Sequence, residues 1–110
     1  MILVYIAGPY TSPDPVMNTK LAVEAFHRIL DAGHAAYCPH LSHFADQQTP
    51  RPYEDWMALD FEIIQRCDMV LRLPGDSTGA DREVAFAQQH NIPAWLPEFG
   101  TLDEFLAALS

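Results

Sequence analysis

Basic side chains are scarce in this chain. Six Lys and Arg stand against fifteen Asp and Glu, a formal net charge of −9, and no basic run is present to neutralise a phosphate backbone or an anionic membrane. That excludes nucleic-acid polymers and lipid surfaces as partners. A single small phosphate remains compatible, because backbone amides and one or two Arg suffice to hold it. Cysteine is nearly absent too. Cys38 and Cys67 lie far apart in apolar surroundings, which reads as two buried thiols in a reducing cytoplasm rather than a disulfide. No apolar run is long enough to span a bilayer, and the opening Met1–Ala7 lacks the basic flank of a signal peptide, so a soluble protein is expected. Also missing are a Lys-bearing P-loop, a GxGxxG turn and a GxSxG elbow. Kinase-type, dinucleotide and serine-hydrolase chemistries therefore lack their marks.

What is present fits one compact domain over residues 1–110. Ile2–Ala7 is a continuous apolar run, as expected for a parallel strand buried on both faces, and Gly8-Pro9 stops it. After a loop over Tyr10–Pro15, Met17, Leu21, Ala25 and Ile29 recur at helical spacing until Gly33. His34–Cys38 reads as a second strand and Pro39–Pro52 as a long loop. Tyr53–Cys67 reads as a helix with the stripe Trp56, Leu59, Ile63 and Cys67. A strand starting near Asp68, an alanine-rich helix from about Ala80 to His90 and a strand over Ile92–Leu96 follow. Thr101 and Glu104 then form a capping box for a last helix. This β-α alternation predicts an α/β flavodoxin-like (Rossmann-like) three-layer sandwich, a four-stranded parallel sheet in the order 2-1-3-4. Ligands in such sheets bind beyond the carboxyl ends of the strands at the switch point, here the segments Gly8-Pro9-Tyr10 and Ser77-Thr78-Gly79.

Three features carry chemistry. Ser77-x-Gly79-x-x-x-Glu83 sits at a strand-to-helix junction, where free backbone amides meet an anion and a carboxylate follows one turn later. Asp60 lies at the edge of an apolar helix face, and Tyr5 needs a hydroxyl partner inside a buried strand, which Glu83 would supply. Each also has an ordinary structural reading: a capped helix start, a rim carboxylate, a core tyrosine. Cys38, His40 and His43 lack a zinc spacing and read as pocket residues rather than metal ligands. Tyr10, His43, Phe44 and Trp56 are candidates to stack on or hydrogen-bond a flat ring.

Val4-Tyr5-Ile6-Ala7-Gly8-Pro9-Tyr10, Asp60-x7-Asp68 and Ser77-x-Gly79-x-x-x-Glu83 together resemble the nucleoside 2-deoxyribosyltransferase superfamily, whose members cleave the N-glycosidic bond of nucleosides or nucleotides. The resemblance implies that Glu83 attacks or stabilises the anomeric carbon, that Asp60 assists at the leaving base or water, and that Tyr5 positions Glu83. It assigns substrate contacts to Gly8, Pro9, Tyr10, His43, Ser77 and Gly79, and it implies no cofactor and no metal. Transferases of the superfamily carry an acidic residue six before the catalytic Glu. Ser77 stands there, similar to the 2′-deoxynucleoside 5′-phosphate N-hydrolases; the loop Tyr10-Thr11-Ser12 lacks the Arg that some of these place after the first strand, which leaves Arg82 and Arg51 as candidates to substitute for it. The implied activity is hydrolysis of a nucleoside 5′-monophosphate in a cytoplasmic homodimer or larger homo-oligomer. The alternatives are base exchange between nucleosides and a non-catalytic nucleotide sensor.

Overall fold

The computed structural model describes residues 1–110. Its strands are β1 (Leu3–Ala7), β2 (Ala35–Tyr37), β3 (Met69–Arg72) and β4 (Ala94–Trp95). Its helices are α1 (Pro15–Asp31), α2 (His43–Gln48), α3 (Tyr53–Ile64), α4 (Thr78–Gln89) and α5 (Leu102–Leu109). The sheet is parallel throughout in the order β2-β1-β3-β4, with Val4 opposite Ala36, Tyr5 opposite Val70 and Leu71 opposite Trp95.

The continuous apolar run of β1 follows from its position between two helical layers. Successive strand residues point to opposite faces. Val4 and Ile6 pack with Leu71, with Ala22, Ala25 and Ile29 of α1, and with Phe105 of α5. Tyr5 and Ala7 pack with Val70, with Ile64 of α3, and with Ala80, Val84 and Ala87 of α4. Phe105, fully buried, anchors the last helix, whose start carries the expected capping box of Thr101 and Glu104.

Several sequence expectations shift on inspection. The stretch read as a loop over Pro39–Pro52 contains a 3-10 turn, Pro39–Ser42, and the six-residue helix α2. None of the residues of α2 is buried, so no apolar stripe betrays it. In α3 the buried face is Met57, Asp60 and Ile64, not the stripe running through Trp56 and Leu59; Leu59 is exposed and Cys67 lies beyond the helix end. In α1 the buried set is Asn18, Ala22, Ala25 and Ile29, while Met17 and Leu21 stand half out of the core. Asn18 explains the rotation, because its side-chain amide donates to the Tyr10 and Ser12 carbonyls at 3.0 and 2.9 Å and needs to face that loop. Asp68 is a turn residue whose carboxylate accepts the Leu3 N–H at 2.7 Å. Cys38 and Cys67 are free, buried thiols, and no helix is long and apolar enough to cross a membrane.

Candidate active site

Strands β1 and β3 lie side by side, yet their connections leave in opposite directions, α1 toward β2 and α4 toward β4. The loops therefore part beyond their carboxyl ends. A cleft of about 580 Å³ opens there, lined by segments after β1, β2 and β3 and by one face of α3.

The two loops are locked together beneath it. Gly75 adopts φ +113°, and a Cβ there would come within 2.8 Å of the Pro9 ring, so only glycine fits both the turn and the neighbour. The Pro9 carbonyl accepts from His40 Nε2 at 3.0 Å. That bond places the His40 proton on Nε2 and leaves Nδ1 facing Cys38 Sγ at 3.8 Å. Burial pulls the His40 pKa below its usual value and pushes the Cys38 thiol up, so both are neutral packing groups. No group of three His, Cys, Asp or Glu side chains is placed to hold a metal ion. Pro9, expected at the substrate, does not line the cleft; it packs on Gly75 and orders the loop behind it.

At the floor, Tyr5 and Glu83 meet from facing elements. Tyr5 Oη donates to Glu83 Oε2, and Asp60 lies within hydrogen-bonding reach of both. Tyr5 is fully buried and Glu83 and Asp60 nearly so. Burial pushes the Glu83 carboxyl far above the usual carboxylate range, its bond from Tyr5 offsets this only partly, and donation to Asp60 raises it further. Burial raises Asp60 as well, although the proton that Glu83 presents to it and the neighbouring Tyr5 hydroxyl pull it back. The Tyr5 hydroxyl is raised well above its ordinary value, first by burial and then by the two carboxyls. The pair of carboxyls titrates as a unit, and burial of both favours holding one proton between Glu83 and Asp60.

Beside this cluster, α4 begins. Ser77, with φ −163°, is its N-cap, and its Oγ accepts from Ala80 N at 3.0 Å. Ser77 therefore caps the helix. The Thr78 and Gly79 N–H groups meet no acceptor in the chain and point where an anion or a sugar oxygen would sit. A Cβ on Gly79 would lie 2.9 Å from Tyr53 Oη, so Gly79 makes room for that ring. Arg72, at the end of β3, fixes the approach to α4 from behind, donating to the Leu73 and Gly75 carbonyls and, at 2.9 Å, to Asp81.

Of the residues singled out from sequence, Gly8, Tyr10, His43, Asp60, Ser77, Gly79 and Glu83 line the cleft, and Tyr5 stands directly behind Glu83. Phe44 points away and is exposed. Neither Arg82 nor Arg51 reaches the cleft. Arg82 is held by both Glu54 oxygens at 2.9 Å and lies over the Tyr53 ring, 5.6 Å from its centroid. The cleft therefore has no Lys or Arg side chain, while Asp46, Asp60, Asp76 and Glu83 all contribute to it. Sequence reasoning missed Asp46 and Tyr53. The spacing of Tyr53, Trp56, Met57 and Asp60 at i, i+3, i+4 and i+7 was the available signal that one face of α3 looks into the site.

A family model described as domain of unknown function DUF7768 matches residues 2–96, every strand and all but the last helix. The chain belongs to this family. No curated protein matches it. Among solved structures, the DUF7768 chain is similar to a 2-deoxyribosyltransferase from the psychrotolerant bacterium Bacillus psychrosaccharolyticus, with TM-score 0.60 and 22% sequence identity, covering 84% of this chain and 69% of that one. At that identity the likeness is one of fold: the two share an α/β architecture.

Proposed function

We infer that the cleft cleaves the N-glycosidic bond of a (deoxy)nucleoside 5′-monophosphate, releasing free base and sugar 5-phosphate. The buried Tyr5–Glu83–Asp60 cluster at the floor of an open cleft carries this reading. Two carboxyls sunk together, with only Arg72 to offset them, behind the cleft and already paired with Asp81, cost stability, and a purely structural role does not require them. Departure of a base leaves an oxocarbenium-like sugar, which a fixed carboxylate stabilises electrostatically or captures as an ester. The similarity of fold to a 2-deoxyribosyltransferase favours this bond among those that a carboxyl pair can break.

The resting proton has a task in this scheme. Glu83 passes it to Asp60, and Asp60 gives it to the ring nitrogen of the leaving base as the C–N bond breaks. Glu83, now a carboxylate held by the Tyr5 hydroxyl, faces the anomeric carbon. Asp60, deprotonated in turn, takes a proton from the water whose oxygen attacks that carbon. The proton then returns to Glu83 as the sugar leaves. Acid and base roles thus alternate on one residue, as in O-glycoside hydrolysis.

At the other end of the substrate, the Ser77 hydroxyl remains free to donate because its oxygen already accepts from Ala80. With the Thr78 and Gly79 amides it suits a 5′-phosphate. One observation favours a second reading, base exchange on free nucleosides: Asp76 lines the cleft beside Ser77 and no cation does, an arrangement suited to a sugar hydroxyl. Incubation with nucleosides and 5′-monophosphates, each with and without an acceptor base, and chromatography of the products separates the two. Free base and sugar phosphate from monophosphates alone is the expected result. A new nucleoside formed only with acceptor present would replace hydrolysis by exchange, and a nucleotide that binds without releasing base would leave a sensor.

A further inference from the structure

One corner of the cleft is built from Tyr10, from His43 and Asp46 of α2, and from Trp56 of α3. The Tyr10 and His43 rings stand 4.6 Å apart between centroids, tilted 50°. Asp46 ties this corner together through one oxygen only: Oδ1 accepts from Trp56 Nε1 at 2.8 Å and from the Arg51 N–H at 2.9 Å. Oδ2 has no hydrogen-bond partner in the chain, and no Lys or Arg pairs with the group. A carboxylate that served only to brace α2 against α3 would not need to line the cleft. Asp46 does line it.

Helix α3 sets where this corner lies relative to the reaction. Trp56 and Asp60 are four residues apart and so share a face one turn from each other. Tyr53, on the same helix, instead meets Gly79 at the start of α4. The cleft above Asp60 and Glu83 is bordered by two regions, the α4 amides beside Tyr53 and the Tyr10–His43–Asp46–Trp56 corner. If the α4 amides take the 5′ end of the sugar, the corner with the Tyr10, His43 and Trp56 rings is left for the flat base.

We propose that Asp46 is a specificity-determining residue of this site, its free Oδ2 accepting a hydrogen bond from an exocyclic amino group of the base. The inference rests on the glycosidase reading above. Two N–H donors on Oδ1 hold the Asp46 carboxyl below its usual range, so Asp46 is acceptor only at any working pH. An amino group supplies one N–H to a single free oxygen. A ring imide N–H, as in uracil, is flanked by two carbonyl oxygens that the carboxylate repels. Bases carrying an amino group are therefore favoured over their carbonyl-bearing counterparts.

Asp46→Asn tests this, because the amide keeps one oxygen for Trp56 and Arg51 while turning the free position from acceptor to donor. The readout is kcat/KM on paired deoxynucleoside monophosphates, adenine against unsubstituted purine and cytosine against uracil. The wild-type protein is expected to prefer the amino-bearing partner by roughly tenfold to a hundredfold, as a hydrogen bond to a charged group allows. Asp46→Asn is expected to lose that preference or reverse it toward uracil. Equal losses on every substrate would reduce Asp46 to a brace, and the wild-type comparison alone, which needs no variant to fold, overturns the proposal if no amino preference is seen. Should the wild type cleave nothing, the glycosidase reading falls, and calorimetry with the free bases decides Asp46 independently. Tighter binding of cytosine than uracil, abolished by Asp46→Asn, supports it; equal or absent binding overturns it.

Discussion

Glu83 is buried where a carboxylate is least at home, and the consequence is measurable without any substrate. Its folded-state pKa lies far above its ordinary 4.5, chiefly through burial, and that of Asp60 shifts in the same direction from 3.8. The native state therefore holds these protons more tightly than the unfolded chain. Their contribution to stability is complete below about pH 4 and is lost progressively as pH rises through neutrality toward the raised values. Glu83→Gln removes the larger part of this dependence. Its denaturation midpoint is expected to exceed that of the wild type by a margin that widens from about pH 5 to about pH 8; a margin independent of pH would mean that Glu83 is not buried as a proton-holding group. At this scale the sequence was partly legible. A tyrosine in a strand apolar on both sides needs a buried partner, and that reasoning paired Tyr5 with Glu83. Pro9 was misplaced because the direction in which a loop ring points is set by Gly75, sixty-six residues away in sequence. Arg82 was misplaced because its partner Glu54 comes from another helix.

At the scale of the element, the start of α4 serves folding and binding through the same hydroxyl, and two substitutions separate the roles. Ser77→Ala removes the cap on Ala80 N and is expected to cost about 1 kcal/mol in a denaturant titration. Ser77→Asp retains a capping oxygen and adds a favourable charge at a helix N-terminus, so stability is expected to hold. The same charge opposes a phosphate there, so use of monophosphates should fall relative to nucleosides. A Ser77→Asp protein with its substrate ratio unaltered would move the phosphate elsewhere. Helix α2 shows where element-level reading stops. Six residues between prolines, none of them buried, carry no periodic signal, and the helix is held by Asp46 contacts to Arg51 and Trp56 that only the folded chain brings together. The rotation of α3 by about one residue has a related cause: Asp60 takes a core position because Glu83 faces it there, a place that an apolar count assigns to Leu59.

At the scale of the whole molecule, the strand order 2-1-3-4 was legible because parallel strands joined by helices admit few arrangements, and the unbroken apolar run of β1 marked it as central. That order brings the ends of β1 and β3 together and so assembles, from residues 5, 60 and 83, a cluster that no local segment contains. The lack of Lys and Arg in the cleft was not legible, since composition alone does not say where six basic residues go. The role proposed for this cluster is to break an N-glycosidic bond. It is tested most directly by measuring free base released from deoxynucleoside 5′-monophosphates by the wild-type protein and by Glu83→Gln, both verified as folded. Base release by the wild type, with a loss of at least a hundredfold in the variant, is the result predicted for a group acting on the anomeric carbon. Release that is undiminished in Glu83→Gln, or absent from the wild type on every base, would contradict it.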